Sequence, residues 1–343
     1  MSRWSYFLRR VLLAIPILVF STSITFLIIR VGPVDPVASI LGPTGSAEAY
    51  HEIAVRLGLE TVSGEPVPIW EQYFQFLWDL FTFNLGQSWV ISPDTTVYQV
   101  IATRAPRTIW LGFWSVLIAI FIGIPLGFYA GLHPNTWSDY IASFGGIVWR
   151  AMPNFWLAVI LVSLLTQSQK VLFGFNWSAW IVETNIIRSP ELTNLSDPSR
   201  LLAAVKQIMP AALVLGSSSM GNEMRIGRTA VLETINSNYV ETARAKGLPR
   251  RAIVWKHVFR NALIPLVPII TGEAFLLIGG SVLVETVFAI NGIGKLFFDA
   301  TVQGDLPLVG SLMYIFILLT LSVNILQDFL YTVIDPRVGY DNN

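Results

Sequence analysis

The 343 residues contain no cysteine and little charge. Without cysteine there are no disulfides, no thiolate metal sites and no cysteine nucleophile. Charged residues are 13% of the chain, against about 25% in an ordinary soluble domain. That deficit excludes a water-soluble globular enzyme. Neither sign is in excess, since Lys+Arg and Asp+Glu are 22 each. A generally basic nucleic-acid binder is therefore excluded as well. The three histidines, His51, His133 and His257, stand far apart and show no ligand spacing. Nucleotide loops are missing too. Gly294-Lys295 has Ala289 where a phosphate loop needs its first glycine, and Leu296 where it needs Ser or Thr. Gly292-Ile293-Gly294 is followed by Phe297 where a dinucleotide fingerprint requires glycine. No Ser-His-Asp arrangement is legible.

Long apolar runs are what the chain has. Hydrophobic residues make up 53% of it. A helix needs about 20 apolar residues to cross a bilayer. Six stretches reach or approach that length: 11–29, 108–138, 151–169, 201–221, 263–283 and 306–327. The third is also compatible with a start near Tyr140. The first is longer than a typical signal-peptide core, and no small-residue cleavage site follows it, so a retained helix is expected. Pro16, Pro125 and Pro153 fall in or near these runs, which membrane helices tolerate when neighbours satisfy the freed carbonyls.

Orientation follows from Lys and Arg. Arg3, Arg9 and Arg10 precede the first run. Residues 31–103 carry one base, Arg56, against Asp35, Glu48, Glu52, Glu60, Glu65, Glu71, Asp79 and Asp94. Residues 225–260 carry Arg225, Arg228, Arg244, Lys246, Arg250, Arg251, Lys256 and Arg260, opposed only by Glu233 and Glu241. Both termini and this basic stretch are expected in the cytoplasm. The segment 31–103 is expected outside, as a small subdomain. It is Pro/Gly-rich over 32–45, helix-like over 47–57 and aromatic over 70–83. Trp70, Trp78 and Trp89 sit there, near span ends, where interface-seeking aromatics belong. The chain thus divides into a first span (1–30), an extracytoplasmic segment (31–103) and a five-helix core (104–338) containing a cytoplasmic loop at 234–262.

That loop is the informative part. Residues 239–246 are good helix formers. Gly247 stops them, since glycine commonly takes the left-handed position after a helix. Pro249 cannot continue that helix, and a second one begins near Arg250. A short helix lying on the cytoplasmic face can act as a lever between a partner and the spans, or can be a basic surface loop. The motif Glu241-Thr242-Ala243-x-x-x-Gly247 resembles the coupling-loop signature of importer-type ABC transporter permeases. The wider string Tyr239-Val-Glu-Thr-Ala-Arg-Ala-Lys-Gly-Leu248, with Arg260-Asn-Ala-Leu-Ile-Pro265, is similar to the dipeptide/oligopeptide branch. Further matches are Gly32-Pro-Val-Asp-Pro36, Leu57-Gly-Leu59, Ile124-Pro-Leu-Gly127 and Pro153-Asn-Phe-Trp156. Val284-Glu-Thr-Val-Phe288, Gly292-Ile-Gly294 and Asp335-Pro-Arg337 complete the series. Thr242 departs from the usual alanine, Pro265 lies further from Gly247 than in the general motif, and Arg150 stands where an apolar residue is usual.

The resemblance implies an all-α integral membrane protein with six transmembrane helices and the type I ABC importer transmembrane fold. It implies a non-catalytic subunit of the cell membrane, without cofactor of its own. Its partners would be a similar second permease, two cytoplasmic subunits holding ATP and Mg, a solute-binding protein and membrane lipid. Peptides are the expected substrate, with oligosaccharide, nickel or another small solute as alternatives. A stand-alone secondary transporter is more distant, as no inverted repeat is visible. Glu241, Thr242, Ala243, Arg244, Lys246 and Gly247 would dock into the ATPase or brace the loop, docking being preferred for Ala243 and Gly247. Ionisable groups within spans are functional candidates. Arg150 and Glu273 therefore either line the pathway or form a structural pair. Gly216, Ser217 and Ser219 offer a small polar surface for close helix approach or for wetting the pore.

Overall fold

The computed structural model describes residues 3–32, 35–42, 45–171, 173–177, 198–273, 275 and 281–334. Asp335–Arg337, Pro33, Val34 and most of the outer segment at 170–200 lie outside them. In a bilayer the backbone must satisfy its own polar groups, which favours helices. Among the described residues there are only two isolated bridges, Glu60 with Pro66 and Gln87 with Thr96. Among the described residues five helices are long and apolar enough to cross: Leu8–Arg30, Val97–Leu132, Leu201–Ile235, Arg250–Gly272 and Leu306–Leu330. A further apolar stretch is a pair of helices, Trp137–Ala151 and Asn154–Thr166, bent by 93°, which together are long enough to count as a sixth span. The bend falls at Met152-Pro153, where Met152 is extended (φ −81°, ψ 124°), because a residue before proline avoids helical backbone.

Three boundaries differ from the sequence expectation. The second crossing starts at Val97 and carries Arg104 and Arg107. The fourth belongs to the helix Pro198–Ile235, so Glu223, Arg225 and Arg228 are helical. The fifth starts at Arg250, thirteen residues before the apolar run. Charges interrupt hydropathy, but they do not interrupt a ladder of backbone hydrogen bonds. Ala119–Gly123 widens into a π turn just before Pro125, where a proline without an N–H would otherwise strain the ladder.

The chain divides into two compact units: Pro106–Gly292 with Val323–Asn343, and Ser2–Ala105 with Ile293–Ser322. In the first, Gly123, Gly127 and Gly131 face the helix Pro198–Ile235. A Cβ on Gly123 would lie 2.9 Å from the Met220 carbonyl oxygen, one on Gly131 would lie 2.7 Å from Val231, and one on Gly127 would overlap the Met224 carbonyl. Glycines at every fourth position let the two backbones touch. Arg228 ties the same long helix to the bent pair. Its Nη2 donates to Asp139 Oδ2 at 2.9 Å, and its Nε donates to Oδ1. Toward the other end of the second crossing, Thr108 Oγ1 donates to the buried Glu285 carboxylate at 2.8 Å. Gly292 leaves room for both, since its Cβ would lie 2.5 Å from that carboxylate.

In the second unit the helix Ile69–Phe81 packs on the first span. Phe26 meets Tyr73 and Phe76, each with ring centres 5.4 Å apart, and Ser23 hydrogen-bonds Tyr73 at 2.7 Å. Asp305 is the polar centre of this unit. It is fully buried. It accepts Ser88 Oγ at 2.5 Å and the N–H groups of Val90 at 3.0 Å and Ile91 at 2.9 Å. It also accepts from Leu308 N at 3.4 Å, in the first turn of the last span. Asp305→Ala leaves these donors without a partner, so we expect a loss of about 3 kcal/mol or more. A thermal melt of the purified protein checks this, with Asp305→Asn falling between variant and wild type.

Candidate functional site

Asn238–Ala245 forms an eight-residue helix after the long helix ends at Ile235. Gly247 follows it at φ 74°. Its N–H donates to the Arg244 carbonyl at 2.9 Å, and Leu248 N donates to the Ala243 carbonyl at 3.3 Å. Glycine takes this left-handed position without a Cβ penalty. A Cβ on Gly247 would meet nothing within 4 Å, so the demand is conformational and not spatial. Pro249 precedes the helical stretch Arg250–Ala252, which widens into a π segment at Ile253–Phe259.

The short helix has two faces. Val240 and Ala243, three residues apart, are buried. They share one core with Ala230 and Val231 of the long helix and with Ile253, Val258, Ala262 and Leu266 of the fifth crossing. Glu241, Thr242, Arg244, Lys246 and Gly247 are exposed. Ala243 is 5% exposed, and its small size serves packing within the chain. Exposed apolar groups stand at both ends of the elbow instead, Tyr239 and Leu248. Their signal was an apolar residue set among charges.

The other candidates do not form one cluster. Arg150 is exposed, and its Nη1 donates to Asn222 Oδ1 at 3.0 Å. Ser217 is buried and donates to the Val214 carbonyl of its own helix at 3.0 Å. Gly216 serves close approach, since its Cβ would lie 2.5 Å from the Ser115 carbonyl oxygen. Ser219 lies beside the Glu273 carboxyl. Glu273 directly follows the helix Val267–Gly272, and its buried Oε2 has no hydrogen-bond partner among the described residues. Sequence reasoning missed Glu223, because the apolar run stops at Gly221. Its side chain is fully buried, neither carboxyl oxygen has a hydrogen-bond partner among the described residues, and the Glu273 carboxyl is its neighbour. An unpartnered buried carboxyl is a stability cost of about 1–3 kcal/mol. Glu223→Leu should therefore raise the unfolding midpoint of the purified protein. A lowered midpoint would show that the carboxyl has a stabilising partner. Among the described residues no group of three or more His, Asp or Glu could hold a metal ion.

Comparison with known proteins adds to this geometry. Residues 123–340 match the family model described as binding-protein-dependent transport system inner membrane component. Residues 3–112 match the N-terminal model of the same kind of membrane component. A putative peptide transport system permease protein of Brucella suis is 35% identical over 335 residues, covering 97% of this chain and 98% of that one. The dipeptide transport system permease protein of Alkalihalophilus pseudofirmus is 31% identical, with coverages of 98% and 99%. The oligopeptide transport system permease protein of Bacillus subtilis is 30% identical, with the same coverages.

Proposed function

Because the chain belongs to the family of binding-protein-dependent transport system inner membrane components, we propose that it forms one half of the pore of an ATP-driven peptide importer. It is a non-catalytic permease subunit. A second permease completes the pore, a solute-binding protein delivers the peptide, and two cytoplasmic subunits bind ATP and Mg. Both termini and the elbow face the cytoplasm. The relatives named for peptide, dipeptide and oligopeptide transport support the substrate.

One observation carries the mechanism. The elbow helix has a bare outer face, while its inner face, Val240 and Ala243, is built into one core with two crossings. Close-packed interiors transmit displacement with little compression. A push on Tyr239, Glu241, Arg244, Lys246 or Leu248 therefore moves the long helix and the fifth crossing together. ATP-driven closure of the partner subunits can shift the inward/outward equilibrium only as far as the docked contact differs between the two states.

The test is uptake by the complete complex in liposomes. Labelled di- and oligopeptides should enter only with ATP and the binding protein present. Import of an oligosaccharide or of nickel, with no peptide import, would overturn the substrate and leave the coupling scheme standing.

A further inference from the structure

The helix Ile69–Phe81 carries an unassigned feature on its outer face. Trp70, Phe74 and Trp78 follow one another at intervals of four and are 59%, 63% and 67% exposed. That spacing places three aromatic rings on one stripe. The opposite face is fully used, since Tyr73 and Phe76 pack on Phe26, and Leu80 packs with Leu18 and Tyr314. Phe26 lies four residues before the end of the first span at Arg30, about 6 Å along a helix. The helix thus packs along the outer part of the first span, and Trp is enriched where such a span meets the headgroups.

Beside the stripe is a cavity of about 490 Å³, within the roughly 300–1,000 Å³ typical of ligand pockets. Its apolar wall includes Phe26 and Leu306, near the ends of the first and last spans, and Phe76 of the helix Ile69–Phe81. Its polar wall includes Arg30, Glu71 and Asp79. Among the described residues Arg30 has no carboxylate within ion-pair distance. Asp79 Oδ1 accepts Gln75 Nε2 at 3.0 Å and Asn84 Nδ2 at 3.3 Å, which leaves Oδ2 for another donor. The pocket therefore shows one cation and two carboxylates under an apolar rim, at the edge of the bilayer.

We propose that this pocket seats the headgroup of an ethanolamine phospholipid from the leaflet that residues 31–103 face. The phosphodiester sits on Arg30, a charge-assisted contact suited to guanidinium. The primary ammonium donates to Asp79 Oδ2 or to Glu71. Choline has no N–H to donate, and a glycerol headgroup carries no cation for the carboxylates. The aromatic stripe lies against lipid beside the pocket. The proposal rests on the chain spanning a membrane and is independent of what it transports.

The test uses the purified intact complex and palmitoyl-oleoyl phosphatidylethanolamine. Native mass spectrometry after partial delipidation should show this lipid retained over the phosphatidylglycerol of the same chains. Arg30→Gln should lower retention of both lipids, the ethanolamine lipid by about tenfold. Asp79→Asn keeps the acceptor for Gln75 and Asn84 and should erase the preference between headgroups. Equal retention of the two lipids by wild type, or retention unchanged in both variants, overturns the proposal. Fluorescence gives a second readout. Brominated ethanolamine lipid should quench wild type more than the double variant Trp70→Phe/Trp78→Phe. Equal quenching, with the stripe shielded by another protein subunit, assigns it to a protein interface and also overturns the proposal.

Discussion

Gly247→Asp is expected to leave the protein folded and in the membrane but to cut ATP-driven uptake at least about tenfold, the effect of losing roughly 1.4 kcal/mol at a contact. Folding survives for two reasons. A side chain at 247 has open space, and Asp is among the few residues that enter left-handed backbone at modest cost. Docking fails because a carboxylate then stands in the exposed turn between Arg244, Lys246 and Leu248. Gly247→Asn separates the causes. It keeps nearly the same shape without the charge, so a loss in Asp alone is electrostatic, and a loss in both shows that a partner's backbone comes close. The measurements are membrane content, co-purification of the ATPase subunits, and uptake. A Gly247→Asp complex that assembled and transported like wild type would remove the elbow from the coupling path.

Gly127→Val should abolish the folded protein, and Gly127→Ala should already impair it. Even a single Cβ at 127 would overlap the Met224 carbonyl, which is backbone and cannot swing aside. Relief requires separating two helices that Gly123 and Gly131 hold in contact at the neighbouring turns. Ordinary overpacking costs about 1–3 kcal/mol, and here the strain is spread over three turns. Gly145→Ala is the control, since a Cβ there meets nothing within 4 Å. Yield of monodisperse protein in detergent should collapse for Gly127→Val and hold for Gly145→Ala. Comparable yields for the two would show that the helices do not meet at that glycine.

The elbow was legible from the chain because its signals are local. Gly247 stops a helix by its own backbone freedom, and Pro249 breaks the next residues by its own ring. The six apolar runs were legible for the same reason, since hydropathy is a sum over neighbours in sequence. Their ends were not. Apolar counting stops at Arg107, Glu223 and Arg260, while the helices continue through them. The glycine ladder 123–127–131 has a visible spacing in Gly-x-x-x-Gly form, and only the facing helix gives that spacing its meaning.

By itself, the sequence determined a helical membrane chain, the position of its apolar runs and the glycine turn of the elbow. Each depends on residues within a few turns of one another. The tertiary structure decided which face of the elbow is free, turning Ala243 inward onto Ile253 and Val258. It also set Glu223 beside Glu273, joined Asp305 to the backbone of Val90 and Ile91 and gave Arg228 to Asp139. Those partners are tens to hundreds of positions apart. A hydrogen bond or a packed methyl is set by distance in space, which the order of residues along a chain does not specify until the helices have docked.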